Sequence, residues 1–375
     1  MRSKAIVNIR PCSRLSPPSS SSSEQYPEQA APYALEGSTL SQSPTDPRSS
    51  QISSGRRSSL NEDCPILLEL ATHHDVLKES DLARCDSFVL HHSSVTIGEL
   101  LGQGSFGEVR RGVCKGRPVA VKTLSPKLDV RSREGKELLK EIEMLSHGFK
   151  HCNVVEFYGI YEHGGLPWLV MELMPGGNLE QFYETKKQAR RSRQWRPRTS
   201  RAVSWIGDIL SALTYLHSQT PPVLHRDIKP GNMLLSAGGR SIKIGDFGLS
   251  RREPGYNLTG TTGTFRYMAP EIYRGEADYT AAVDVYSFGL LMWFIFAGGH
   301  PFSNMDGQTV AQLAATYGYF RPLELKKSMM PRKLGDMMKR SWAMKAEERP
   351  RAEELLRELE VWRMERGGCG GWLMV

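Results

Sequence analysis

His225-Arg226-Asp227-Ile228-Lys229-Pro230-Gly231-Asn232, followed a short distance on by Asp246-Phe247-Gly248, is the part of this chain that decides its reading. Asp227 offers a carboxylate suited to accept a proton, and positioned bases of this kind typically contribute about 10²–10⁴ in rate. Lys229, two residues along, brings a compact positive charge. Asn232 adds an amide oxygen and Asp246 a second carboxylate, the hard oxygen ligands that Mg²⁺ prefers. An isolated His-Arg-Asp means nothing. The same triplet followed in order by Lys229, Asn232 and Asp246 does.

Working upstream, Leu101-Gly102-Gln103-Gly104-Ser105-Phe106-Gly107 contains the pattern GxGxxG, which by itself fits a dinucleotide fold as readily. A dinucleotide loop leads from a strand into a helix. Here the continuation Glu108-Val109-Arg110-Arg111-Gly112-Val113-Cys114 favours a second strand, so the loop is expected to be a flap whose amides approach phosphates. Lys122 ends the alternating run Val119-Ala120-Val121 and is expected to point into a cleft and hold phosphates as a point charge. It needs a carboxylate to fix its rotamer. Glu141 on the next helix suits, with Leu145 one turn further on the same face, whereas Glu143 faces another way. In this order the four pieces supply the groups that moving a phosphoryl group from ATP requires.

The periodicities place these motifs on two kinds of structure. Val95, Ile97 and Leu100-Leu101 predict a first strand, Val109 and Val119–Val121 further strands, and Val154–Ile160 and Leu166–Met171 two more. Glu134–Leu145 reads as a helix. Beyond Pro175-Gly176-Gly177 the pattern turns helical, notably over Ala202–His217, Ala282–Ala297 and Glu353–Met364. The fold class is therefore α+β: a small sheet-rich lobe with one key helix, then a larger helical lobe, with a cleft between them.

The chain has 375 residues and a formal charge of +8, which constrains association rather than activity. Its six cysteines show no CxxC and no histidine at ligand spacing, so free thiols in a reducing compartment are expected. No stretch reaches the ~18–20 apolar residues that span a bilayer, and Phe288–Ala297 reads as a buried core helix. Residues 1–63 are Ser/Pro-rich and are expected to be disordered. The early part, with Arg2, Lys4, Arg10 and Arg14 and no acid through Ser23, also has the composition of an organellar transit peptide. Arg56-Arg57-Ser58-Ser59 reads either as a basophilic phosphorylation site or as plain polar tail. Residues 64–93 read as a linker with a short helix, 94–366 as the folded domain and 367–375 as a Gly-rich tail.

From about Ser94 to Arg366 the chain resembles the eukaryotic-type protein kinases, and the match extends past the core motifs. Ala269-Pro270-Glu271 resembles the family's APE motif, with Arg349 of Glu348-Arg349-Pro350 as the ion-pair partner of its glutamate. Asp284 in Asp284-Val285-Tyr286-Ser287-Phe288-Gly289 resembles the buried aspartate that anchors the catalytic loop. Leu169–Met174 resembles the hinge, with Met171 as gatekeeper and the Glu172 and Met174 backbones facing adenine. The resemblance implies a bilobal fold (94–171, a hinge at 172–175, then 176–366), with Val109, Ala120 and Leu234 around the adenine ring. ATP and Mg²⁺ are the implied cofactors, with Asp227, Lys229, Lys122 and Glu141 catalytic and Asn232 and Asp246 on the metal. Leu145, Phe157, His225 and Phe247 would form either an apolar column or ordinary core. A silent member of the family usually lacks at least one of Lys122, Glu141, Asp227, Asn232 and Asp246; all five are present.

Lys229 together with Gly263-Thr264 resembles the serine/threonine pattern, since tyrosine-specific members usually carry an Ala/Arg arrangement in place of that lysine. Gly263–Glu271 and Trp342 resemble the tyrosine-kinase-like branch that includes Raf and mixed-lineage kinases, and dual specificity stays open. The places where arginine-selecting kinases carry carboxylates hold Asn178, Gly231 and Arg266 here, which implies no strong basophilic preference. Arg226 implies activation by phosphate on Thr259, Thr261 or Thr262. Protein substrates and an upstream activating kinase are the expected partners, in the cytoplasm or nucleus. The departure from the pattern is Lys186–Arg201, with eight basic residues, no acid and Trp195. Nuclear import, RNA, an acidic partner or no dedicated role would each suit it.

Overall fold

The computed structural model describes residues 88–366 except 92–93, 105–106, 125–140, 164–165, 193, 249, 251–264 and 319. A five-stranded antiparallel sheet in the order β1-β2-β3-β5-β4 forms the smaller lobe. Its strands are β1 (Val95–Gly104), β2 (Gly107–Cys114), β3 (Arg117–Leu124), β4 (Phe157–His163) and β5 (Leu166–Glu172). Lys115 and Gly116 turn β2 into β3 with φ of 49° and 78°, the left-handed pair that a two-residue hairpin matched to strand twist requires.

Period-two alternation then sorts β3. Val119 and Val121 are fully buried with Val95, Tyr161 and Val170 in the small-lobe core. Ala120 and Lys122 therefore face the opposite side, toward the cleft. The helix that carries Glu141 is described over residues 141–146 (α1); the earlier part of the expected Glu134–Leu145 helix lies outside the described residues.

One strand differs from its expected bounds. Val154 and Val155 have strand propensity, but their partner is not β5: Val154 bridges Ile244, and the Val155 amide donates to the Ile244 carbonyl at 2.9 Å. The sheet strand begins only at Phe157. Phe88–Leu90, expected in the linker, run along the outer edge of β4, with the Ile160 amide donating to the Phe88 carbonyl at 2.8 Å and the Leu90 amide to the Ile160 carbonyl at 2.8 Å. That covers an otherwise open edge. Gly159 (φ 152°) is required there, because a Cβ would sit 2.3 Å from the Phe88 carbonyl oxygen. Residues 64–87 and 92–93 and both tails lie outside the described residues.

The larger lobe comprises α2 (Leu179–Ala189), α3 (Thr199–His217), α4 (Pro270–Tyr273), α5 (Ala282–Ala297), α6 (Gly307–Thr316), α7 (Arg332–Ser341) and α8 (Ala352–Arg366), with a hairpin of β6 (Met233–Leu235) and β7 (Ile242–Ile244). Asn178 caps α2 reciprocally with Gln181, each side chain bonding the other's backbone N–H. α5 is apolar on every face and is buried nearly throughout, the central post around which α3 and α7 pack. No helix among the described residues is long and apolar enough to cross a membrane. Cys114 and Cys152 are free thiols.

Candidate active site

The sheet and the helical lobe enclose a cleft of about 310 Å³. Leu101, Gly102, Val109 and Ala120 line it from the sheet, Leu234 from the β6–β7 hairpin, and Met171 through Pro175 from the connecting segment. Register explains the roof. Val109 pairs with Lys122 and Ala120 with Met171, so alternate residues of three adjacent strands face the cleft together, apolar except for Lys122. Gln103 pairs with Glu108 and Gly104 with Gly107, closing the glycine loop as a hairpin between two strands, not as an entry to a helix. Ser105 and Phe106 at its tip lie outside the described residues.

At the inner end of the cleft the Lys122 Nζ lies 2.9 and 2.7 Å from the two Glu141 carboxylate oxygens and 2.8 Å from Asp246 Oδ1. Burial opposes the Lys122 charge, but the Asp246 and Glu141 carboxylates outweigh it and raise its pKa. Burial also pushes the Glu141 carboxyl upward, against the pull of the Lys122 ammonium that both its oxygens contact. For Asp246, burial acts upward too, yet the Lys122 ammonium brings the carboxyl down from 3.8 to about 2.

A depressed carboxyl contributes stability that is complete above its unfolded value and lost as pH falls through its folded one. The Asp246–Lys122 contact should therefore support the unliganded fold above about pH 4 and fail toward about pH 2. Asp246→Asn is expected to remove that acid-side slope from a stability–pH curve measured by chemical unfolding. Superimposable curves would contradict the pairing. Because the Asp246 side chain keeps 45% exposure, solvent screening makes the effect modest.

The loop from His225 to Asn232 is held from below. Asp284, fully buried at the start of α5, accepts from the His225 amide at 2.9 Å, the Arg226 amide at 2.7 Å and His217 Nε2 at 2.9 Å. Burial would raise this carboxyl, but the bond from His217 and the charges around it hold it low. Within the loop, Lys229 Nζ donates to Asp227 Oδ2 at 2.6 Å, and Asn232 Nδ2 donates to the Asp227 carbonyl and Oδ2 at 2.8 Å each. Asp227 is 6% exposed, and its Oδ1 has no hydrogen-bond partner among the described residues. A buried carboxylate oxygen without a donor is costly, so a donor supplied by a bound substrate hydroxyl fits it. Arg226 and Asp246 have φ of 66° and 65°, left-handed conformations that non-glycine residues adopt at a cost and that cluster at functional sites.

Because Nδ2 of Asn232 is committed to two acceptors, its Oδ1 is the acceptor end left over. The Gly245 amide donates to the Asn232 carbonyl at 3.0 Å, which sets Asp246 beside it. No group of three or more His, Cys, Asp or Glu able to hold a metal occurs among the described residues. Two oxygen ligands from the protein, completed by phosphate and water, are what Mg²⁺ takes in nucleotide sites, so these residues fit that ion.

Around this centre the remaining motif residues also meet. Arg349 Nη2 lies 2.9 Å from Glu271 Oε2, with side chains 0% and 4% exposed. Phe247 stacks on Phe149 at 5.5 Å and meets His225 edge-on at 5.1 Å, within the core that includes Leu145 and against which Phe157 packs. Lys243 bonds Glu172 at 2.7 Å, tying β7 to the connecting segment. Thr259, Thr261, Thr262 and Thr264 lie outside the described residues.

Several residues here were not singled out in the sequence. His217, Phe149 and Lys243 carry no local signal, because their partners are distant in sequence. Glu180 is another: its Oε1 bonds His300 Nε2 at 2.8 Å, and the Tyr267 hydroxyl meets His300 Nδ1 at 3.0 Å. A Cβ on Gly231 would lie 3.8 Å from Glu180 Oε2, so this carboxylate stands beside the loop where Gly231 has none. Arg266 donates to the carbonyls of Pro301 at 2.9 Å and Met305 at 2.7 Å.

Residues 95–359 match the family model described as "Protein kinase domain". The chain is 36% identical over 282 residues (73% of this chain, 39% of the relative) to "Seven transmembrane domain-containing tyrosine-protein kinase 1" of Dictyostelium discoideum. It is 33% identical over 259 residues (69% and 36%) to "Mitogen-activated protein kinase kinase kinase 7" of Drosophila melanogaster. With "Serine/threonine-protein kinase VIK" of Arabidopsis thaliana it shares 32% over 268 residues (70% and 58%). The matched region thus spans between about a third and three fifths of these relatives. This mixture of serine/threonine and tyrosine kinases is what the motifs of the tyrosine-kinase-like branch imply. With the family model covering most of its length, the chain belongs to the protein kinase family.

Proposed function

We propose that the chain is an ATP- and Mg²⁺-dependent protein kinase that phosphorylates serine and threonine hydroxyls of protein substrates. The observation that carries this reading is the meeting of Lys122 and Asp246 at one cleft, with Asp227 bonded to Asn232 in the cleft wall, although the three are far apart in sequence. In this account the purine lies between Val109 and Ala120 above and Leu234 below, with the backbones of Glu172 and Met174 at its edge. The glycine loop from Gly102 to Gly107 covers the phosphates. Lys122, its rotamer fixed by Glu141, holds the α and β phosphates.

Asp227 orients the substrate hydroxyl through Oδ1 and accepts its proton, while Lys229 offsets negative charge on the transferred group. Asn232 and Asp246 hold the metal, which when bound spreads the charge of the phosphate oxygens. Because charge-assisted contacts are worth about 1.5–3 kcal/mol, Lys122→Met is expected to lower kcat/KM for ATP by about 10–150-fold in steady-state assays. A loss below about twofold would remove Lys122 from the phosphate site.

Regulation belongs to the same proposal. Arg226 precedes Asp227 directly, and a phosphate on Thr259, Thr261 or Thr262 would pair with it and order the segment before the APE motif. An upstream kinase, or this chain itself, would supply that phosphate. Phosphatase-treated protein is expected to lose activity by about 5–150-fold, the usual range of such coupling. Full activity from protein shown by mass spectrometry to carry no phosphate on these threonines would contradict it.

A further inference from the structure

The basic stretch between α2 and α3 is held against the large lobe as a shaped surface. Trp195 is wedged edge-to-face against Phe182 at 5.7 Å and Tyr183 at 4.9 Å. Its backbone carbonyl lies against Gly298 so closely that a Cβ there would approach to 2.5 Å. Arg201 Nη1 donates to the carbonyls of Gly238 at 3.1 Å and Gly239 at 2.6 Å, and Lys186 Nζ sits 4.9 Å from the Phe182 ring centre. The segment is thus pinned at its centre and at both ends.

Two cavities of about 410 and 610 Å³ flank the pinned tryptophan. They share Arg190, Arg196 and Arg198, and the larger adds Lys186 and Arg201. No carboxylate lines either cavity. Arg190, Arg196 and Arg198 form no ion pair among the described residues. Like charges this close raise the free energy of the surface unless an anion joins them. The walls also carry apolar surface, the partly exposed Met329 in one cavity and Phe182 in the other, with Phe296 and Trp205 buried behind them.

We infer that this face is a docking site for an acidic peptide segment of a partner protein, in which Asp or Glu residues flank apolar side chains. Three guanidinium forks match carboxylates in bidentate geometry, and the partly exposed Met329, Phe182 and Trp195 take the side chains between them. Nucleic acid suits the surface less well. Its phosphates follow a continuous basic track with aromatic faces open for stacking, whereas here the cations ring two separate hollows and Trp195 is wedged among other aromatics. The site is separate from the catalytic cleft and does not depend on which hydroxyl is phosphorylated.

The test uses the full chain and a fluorescein-labelled peptide of four Asp-Glu-Leu repeats, read by fluorescence anisotropy. Saturable binding is expected, weakened by at least about tenfold in Arg190→Gln/Arg196→Gln/Arg198→Gln. Autophosphorylation and thermal midpoint should match those of the wild type, since none of the three residues touches the catalytic cleft. The Lys triple variant, which keeps charge but loses the forks, should fall between the two. Three results would overturn the proposal: no binding to wild type, equal binding to the Gln variant, or tighter binding of a single-stranded DNA oligomer of the same net charge. If the Gln variant fails to fold, the comparison of wild type with the Lys variant decides, and equal affinities would count against the forks.

Discussion

Asp227→Asn is expected to lower kcat by about 10²–10⁴-fold while leaving KM for ATP within about twofold. The substitution keeps the volume of the side chain and one oxygen for the bonds from Lys229 and Asn232, so the loop should hold its shape. It removes the proton acceptor. An amide cannot take the hydroxyl proton, and if its nitrogen replaces Oδ1 it presents a donor where a donor must bind. Equal falls in kcat and kcat/KM would mark an interaction made in the transition state. A kcat within about threefold of wild type would mean that Asp227 is not the base.

Arg349→Met is expected to cost about 3–5 kcal/mol of stability, measured by urea unfolding. Both side chains of the Arg349–Glu271 pair are essentially removed from solvent, and Arg349 also donates to the carbonyls of Ala282, Ala343 and Met344. Removing the guanidinium strands a buried carboxylate and three carbonyls. Against a typical total of about 5–15 kcal/mol, a loss of this size leaves a marginal domain. The double variant Arg349→Met/Glu271→Met should recover a large part of the loss, because the stranded charge goes with it. A single-variant cost below about 1 kcal/mol would show that the pair is replaceable by water. The position matters for function because Glu271 ends the segment that leads from Asp246 to the helical lobe.

The sheet and the central helices were readable from periodicity because each residue's environment there repeats locally. Alternation in Val119-Ala120-Val121-Lys122 was enough to send Lys122 toward the cleft, and helical spacing separated Glu141, 2% exposed, from Glu143. Ala282–Ala297 has the same bounds in sequence and structure. Val154 and Val155 misled because propensity names a strand without naming its partner, and theirs lies ninety residues on, in β7. The same reason hid Glu180, His300 and His217. A glutamate on an exposed helix face looks solvated until the fold lays His300 against it. Asp284 was found only because its whole motif resembles a known one; its three bonds to His217, His225 and Arg226 could not be derived from spacing.

The most direct test of the central claim is transfer of the labelled γ-phosphoryl group from ATP to protein, with Mg²⁺ present and then chelated, followed by phosphoamino acid analysis of the product. The account predicts label on phosphoserine and phosphothreonine from wild-type protein with Mg²⁺, and background label from Asp227→Asn or after chelation. Label that persists undiminished in Asp227→Asn, or none from wild-type protein carrying activation-segment phosphate, would contradict it.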